Sequence, residues 1–382
     1  MATAMTLRQS AAAKFHSLPP KQVRVADIGR ELADLWKYFH QDVSGGKTVT
    51  LACMSNLMIF CSDLEQVEKV AREIPSIAQE HPARVLLLCA HADDRQNNDI
   101  ESFVSLDYSA LNGGWQVFSE QVRVIARGDA ARRLVFVARS HLIGDLPTAL
   151  WWASDRPPPE EDELFRGLSE MADQIIYDSI GWRRPARGIL AMSRWVAAGR
   201  EEYVIYNLSW RRLKPWRKLI SQVLDPVVLP GALNAIESIE IEHGPHALAK
   251  AWLLLGWLAC QLNWQPLTCK AEGGVKLHWR FQAPHGTIRV TVRRLTEGEP
   301  YVYRFQCGWR DGGDKQSAVF AMLADQRLGV VEDLSTVPQR VIPAPDLERA
   351  DLVAAQLAHR KRDKLFENAL NVANVMAGVL LG

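Results

Sequence analysis

Three short stretches hold residue types that could do chemistry. Gly46-Lys47-Thr48 matches the end of a phosphate-binding loop, whose backbone amides and lysine hold phosphates. That loop needs an earlier glycine where this chain has Gln41, and it runs from strand to helix, the reverse of the order expected here. CAHADD, residues 89–94, puts His91, Asp93 and Asp94 after a predicted strand, where they could ligate a metal. Acids so closely spaced also make a turn and a helix cap, the more ordinary use. HGPH, residues 243–246, offers two histidines, but Pro245 between them suits a first helical position and no third ligand stands nearby. No GxGxxG dinucleotide fingerprint and no GxSxG nucleophile elbow occurs. We assign no catalytic, cofactor-binding or metal-ligating residue and expect no cofactor.

Cys53, Cys61, Cys89, Cys260, Cys269 and Cys307 form no CxxC pair and no metal spacing. Cys53 and Cys61 fall in one predicted strand, which at about 3.3 Å per residue sets them roughly 26 Å apart. They cannot bridge there, and reduced, mostly buried thiols are expected.

The densest unusual stretch is NLSWRRLKPWRKLISQVLD, residues 207–225. Trp216, Leu219, Ile220 and Val223 follow helical spacing, and Pro215 can open that helix. Arg211, Arg212, Lys214, Arg217 and Lys218 crowd five cations around the opening turn. The aliphatic residues read as core. The cations and a tryptophan read as a recognition surface, because Trp and Arg dominate binding hot spots. Changing Arg211 and Arg212 together is expected to leave the fold intact.

The elements that must position these residues follow two rhythms. Ile28, Leu32, Leu35, Trp36 and Phe39 predict a helix from Asp27; Thr48–Cys61 predicts one long buried strand. A helix from Asp63, the strand ARVLLLCAH, an edge hairpin around Asn112-Gly113-Gly114 and a helix over 130–140 lead to a strand from Pro147 to Trp152. Pro157, Pro158 and Pro159 then stop the chain and mark a boundary. Helices over 160–172 and 186–198 alternate with strands QIIYDS and EYVIYNL. Beyond Leu229 come a strand over 235–242, an apolar helix over 245–263 and the alternating strands VKLHWRFQA, GTIRVTVRR and PYVYRFQCG. Two helices follow Pro345. The expected fold combines α/β and α+β: an N-terminal, mostly parallel sheet with covering helices, a C-terminal domain with antiparallel strands, and closing helices. The expected spans are a loose 1–20, domains 21–158 and 159–344, and helices in 345–382.

Lys+Arg, at 45, nearly equals Asp+Glu, at 44, so there is no general field to draw nucleic acid or an anionic membrane. The amino end lacks the apolar core of a signal peptide. The helix near Ala247–Trp264 carries Lys250, Gln261 and Asn263, which argues against a membrane span. A soluble, cytoplasmic protein is expected.

Several of these stretches together resemble one family, the glucose-6-phosphate dehydrogenase assembly proteins called OpcA. EHPARVLLL is similar to that family's second strand, and LPTALWWASDRPP to its proline-led double-tryptophan strand. QIIYDS resembles its strand ending in Asp-Ser. The segment from Asn207 resembles its Asp-Leu-x-Trp-x-Arg-Leu-x-Pro-Trp-Arg motif. WLLLGWLACQLNW is similar to its apolar helix and RDKLFENAL to its tail. The resemblance implies a two-domain, non-enzymatic protein. It would bind oligomeric glucose-6-phosphate dehydrogenase and favour the assembled, active form in the oxidative pentose phosphate pathway. Carried over are Trp151, Trp152, Asp178, Ser179, Trp210, Arg212, Leu213, Pro215, Trp216 and Arg217; Arg156 joins the interface candidates. Asn207 stands where the family has an acid, a change that helix capping survives and a salt bridge does not. No cysteine aligns with an identifiable family motif, so redox control is not carried over.

One of Trp151 and Trp152 is expected in the first domain's core, the other at a domain junction or partner surface. The competing function is a small-molecule enzyme or sensor working at the strand ends near Cys89–Asp94, and a sugar phosphate could join the complex as effector. Nucleic-acid binding through Arg211–Lys218 is weaker, given the neutral chain.

Overall fold

The computed structural model describes residues 15–91, 98–158, 162–198, 203–331 and 340–382. They form two compact units that interleave along the chain. The first takes residues up to Ser154 with 163–176 and 349–360; the second takes 155–162, 177–348 and 361–382. The sequence predicts a single crossing, at 158/159, with 345–382 apart.

The first unit begins with β1 (Phe15–Ser17), β2 (Lys21–Val23), α1 (Ile28–Tyr38), β3 (Val49–Leu51) and β4 (Ser55–Cys61). The expected single strand over Thr48–Cys61 is two strands with different neighbours. Val49 pairs with Trp115, whereas Ser55–Cys61 lies between two other strands and is buried throughout. Cys53 therefore lies in the connection and not in a strand with Cys61. Next come α2 (Leu64–Glu80), β5 (Ala83–His91), β6 (Ile100–Leu111) and β7 (Gly114–Arg127). Asp63 caps α2 by accepting the Gln66 amide at 2.8 Å, and the Gln66 side chain accepts the Ser62 amide at 3.0 Å, a reciprocal capping box. The β6–β7 turn needs two residues of positive φ, and Asn112 and Gly113 supply them at 49° and 79°. Neither strand of this hairpin is an edge: β7 pairs with β5, and the far side of β6 is covered by β1 and β2. Then follow α3 (Leu134–His141), β8 (Thr148–Trp152), α4 (Asp162–Ser169) and β9 (Gln174–Tyr177). The strands lie in the order β1-β6-β7-β5-β4-β8-β9, and the pairs β7–β5, β5–β4 and β4–β8 are parallel.

The second unit holds α5 (Pro185–Ala197), β10 (Val204–Asn207), α6 (Leu208–Arg212) and α7 (Lys214–Val223). Its sheet uses β11 (Ile236–His243), β12 (Gln265–Glu272), β13 (Lys276–Ala283), β14 (Gly286–Arg294), β15 (Val302–Asp311), β16 (Asp314–Leu323), β17 (Arg327–Val330) and β18 (Val341–Pro343). The order is β12-β13-β14-β11-β15-β16-β17-β18, antiparallel except for β11 with β14. Alternation buries Trp279, Phe281, Val290, Ile241 and Phe305 on one face. Helix α8 (Leu248–Gln261) separates β11 from β12. It starts three residues beyond Pro245, because His246 takes a φ of 62° and the chain turns once more first. After α9 (Arg349–Leu357), which belongs to the first unit, α10 (Lys364–Leu381) closes the second. A Cβ on Gly256 of α8 would stand 2.5 Å from the Ala369 carbonyl of α10, so only glycine lets these helices approach. No helix among the described residues is long and apolar enough to cross a membrane.

Candidate functional site

The stretch from β10 into α7 gathers most of the motif residues. Asn207 ends β10 and caps α6, its carbonyl accepting the Ser209 amide at 2.9 Å. The Asn207 amide donates to the Ser179 hydroxyl at 3.0 Å, which ties the cap to the segment after β9. Asp178 accepts from the Ser209 hydroxyl at 2.8 Å and from the Ile180 amide at 3.2 Å. Its other oxygen meets Arg212 at 2.6 Å. The departure at Asn207 thus keeps the cap, and the acid that pairs with an arginine is Asp178.

Leu213 joins α6 to α7 and is fully buried; Pro215 lies in the first turn of α7 and Trp216 is buried. The Trp210 indole donates to Asp363 at 2.7 Å, and the Arg217 guanidinium lies 3.5 Å from its ring centre. Arg217 also donates to the Trp210 carbonyl at 2.7 Å, and burial lowers its pKa to about 10.

The expected five-cation surface therefore does not form. Arg212 is engaged by Asp178 and Arg217 by Trp210, while Arg211 is partly buried and burial pulls its pKa down. Lys214 and Lys218 are exposed. Arg156 is exposed as well, and Ser179 is buried.

One pocket, of about 550 Å³, opens beside this segment. Arg212, Trp216, Lys250, Tyr301, Tyr303 and Met322 are among its lining residues. Lys250 is 3% exposed; its ammonium donates to the Pro300 carbonyl at 2.7 Å and lies 5.3 Å from the Tyr301 ring centre. Desolvation, helped by the Arg212 charge, lowers its pKa to about 8 against the opposing pull of Asp178 and Asp346. The Tyr301 hydroxyl donates to Asp346 at the rim. In the sequence, Lys250 speaks against a membrane span and is not among the candidate site residues. The available signal was stronger: one ammonium within an otherwise apolar helix needs an acceptor or a ligand.

The double tryptophan lies elsewhere, and burial corrects the partner-surface part of its expected division. Both rings are 1% exposed, so neither offers a partner surface. Adjacent strand residues face opposite sides of the sheet. Trp152 stacks on Phe60 at 4.1 Å between centres and meets Phe165 of α4 edge-on at 5.2 Å. Trp151 carries the Arg349 guanidinium 5.2 Å from its ring centre, and that arginine is bound to Glu73 of α2. The pair sits at the end of β8, beside β4. From β4 the chain crosses to β5 through α2, and from β8 to β9 on the other side. That is the reversal at which doubly wound sheets bind ligands. Here the turn after β4 reads Ser62-Asp63, and Asp63 already takes a helix N-terminal amide. The Ser154 hydroxyl closes onto that of Ser62 at 3.1 Å.

Asp93 and Asp94 lie outside the described residues; His91 ends β5. His243 is buried and donates to the Gly244 carbonyl at 2.7 Å, a structural use. Among the described residues no cluster of three or more His, Cys, Asp or Glu could hold a metal. All six cysteines are free, and burial raises the thiols of Cys61, Cys89 and Cys307.

A sheet with the parallel run β7-β5-β4-β8, followed by an antiparallel-sheet unit, defines a Rossmann-like α/β protein in which Ser62 and Asp63, at the switch point, are engaged by other residues of the chain. The family model described as the glucose-6-phosphate dehydrogenase subunit N-terminal domain matches residues 75–194. The model described as the C-terminal domain of that subunit matches 203–370. The chain belongs to the OpcA family. Among curated relatives, the "Putative OxPP cycle protein OpcA" of Synechocystis sp. is 29% identical over 212 residues, 55% of this chain and 44% of that one. Its namesake from Nostoc punctiforme is 27% identical over 198 residues, 52% of this chain and 42% of that one. The one from Synechococcus elongatus is 27% identical over 314 residues, 78% of this chain and 68% of that one. The chain thus spans less than half the length of the first two. A "putative oxidoreductase" from Parabacteroides merdae superposes with a TM-score of 0.50 at 9% identity, covering 86% of this chain and 97% of that one; the likeness is one of fold alone.

Proposed function

We propose that this chain is a non-catalytic accessory protein that binds glucose-6-phosphate dehydrogenase and favours its oligomeric, active form in the oxidative pentose phosphate pathway. It would do this work in the cytoplasm. The observation that carries the reading is the ordered match to both halves of a glucose-6-phosphate dehydrogenase subunit family. The site geometry supports it. A carboxylate stands at the helix N-terminus where a dinucleotide's pyrophosphate would need bare amides, and the motif residues Asp178 and Arg212 hold each other. An accessory protein acts by binding one assembly of its partner more tightly than another, which requires surface and no reactive constellation.

Burial of Trp151, Trp152, Trp210, Trp216 and Ser179 removes them as contacts and makes them the frame. The contacts we propose are Lys214 and Lys218, exposed four apart on one side of α7, with Arg156 as a further candidate. The test adds purified protein to the cognate dehydrogenase and follows maximal rate and substrate affinity. A rise that the double variant Lys214→Ala/Lys218→Ala weakens is the expected result. Unchanged rate and affinity with the unaltered protein would refute the accessory role.

A further inference from the structure

The pocket beside α7 has a composition that the accessory role does not use. Its lining brings two cations to apolar and aromatic walls. Lys250 has three N–H groups and, among the described residues, one acceptor, the Pro300 carbonyl. Arg212 has five N–H groups and one acceptor, Asp178. Among the described residues, six donors on the two positive side chains thus have no protein acceptor at one concave site. Trp216 and Met322 supply apolar wall, and the Tyr301 and Tyr303 rings lie 6.1 Å apart at 54°. A volume of about 550 Å³ suits a small metabolite.

We propose that this pocket binds a small organic anion, a phosphate monoester or carboxylate carried on a ring-sized body, with Lys250 and Arg212 holding the charge and Trp216 and Met322 the body. A buried ammonium with one neutral acceptor is costly unless a charge completes it, and an incoming anion does so. Asp346 is the opposing group on the lining; it is exposed at the rim and accepts from Tyr301, so it repels an anion that enters reversed and sets the orientation. The positive end lies at Lys250 and Arg212, with Asp178 behind Arg212. This inference does not depend on the dehydrogenase partnership.

The test is calorimetric titration of the full chain with phenyl phosphate and with benzoate, and with benzyl alcohol as the uncharged counterpart. Saturable binding of at least one anion, close to one per chain, and none of the alcohol, is expected; which anion binds tells phosphate from carboxylate. Lys250→Met should weaken that binding at least tenfold. Met322→Trp, which fills the pocket without touching either cation, should weaken it as much, and decides alone if the first variant does not fold. Absence of saturable binding by either anion, or affinity in the folded variants within twofold of the unaltered chain, overturns the proposal.

Discussion

Replacing Arg212 by alanine separates a frame residue from a contact residue. The Arg212 and Asp178 side chains are 16% and 18% exposed and meet at 2.6 Å. Pairs in full solvent contribute about 0–1 kcal/mol, and breaking a buried one costs about 3–5 kcal/mol. Asp178 would keep the Ser209 hydroxyl and the Ile180 amide, which softens the loss. We therefore expect Arg212→Ala to cost about 2–3 kcal/mol, placed between those limits. With a urea dependence of about 2–3 kcal/mol/M, the midpoint falls by roughly 1 M. The assay is urea unfolding of the full chain, followed by fluorescence and circular dichroism. Asp178→Asn and the double variant complete a cycle, with an expected coupling of about 1–2 kcal/mol. A loss below about 0.5 kcal/mol with no coupling would refute the reasoning and return Arg212 to the surface cations. Altering Arg211 and Arg212 together is accordingly expected to destabilise the fold, contrary to the reading from sequence.

Trp152→Ala should cost about 3–5 kcal/mol in thermal or urea unfolding, because a ring buried against Phe60 and Phe165 leaves a cavity; Trp152→Phe should cost clearly less. Trp210→Phe should cost about 1–2 kcal/mol, since it strands Asp363, which also caps α10 through the Phe366 amide at 3.0 Å. Stability should also depend on Lys250. Its folded pKa, about 8, lies below the ordinary 10.5, so between those values the unfolded chain binds more protons and stability rises with pH. Arg212, Asp178 and Asp346 act on its charge, and Tyr301, whose phenol is pushed up by burial and by Asp346, lies beside it. The unfolding free energy of the unaltered chain relative to Lys250→Met should accordingly rise from pH 7 to pH 10, and a flat difference would contradict the buried ammonium.

The fold was legible where one periodicity ran uninterrupted. Strand β5, helix α2 and the Asn112-Gly113 turn follow from apolar run, capping residues and turn chemistry. Strands β12 and β16–β18 were missed. β12 is largely exposed on both faces, and β16 opens with four polar residues, so neither shows clean alternation. The break between β3 and β4 was hidden because both halves are strand-like and only the partner strand changes. The candidate site was legible as a segment but misread as a surface. Sequence shows that Arg212 and Arg217 are charged; it does not show that Asp178, 34 positions away, and the Trp210 ring take those charges. The pocket could not be read at all, because its walls come from α6, α7, α8, β15 and β16, brought together only by folding.

The central claim, that this chain works by gripping one quaternary arrangement of another enzyme, is tested most directly by the mass distribution of that enzyme. The cognate glucose-6-phosphate dehydrogenase is weighed by sedimentation velocity at a concentration where it is partly dissociated, with and without this chain. The account predicts a shift to the larger assembly with the chain co-sedimenting, and a proportional rise in dehydrogenase rate. An unaltered distribution with the chain sedimenting alone would contradict it.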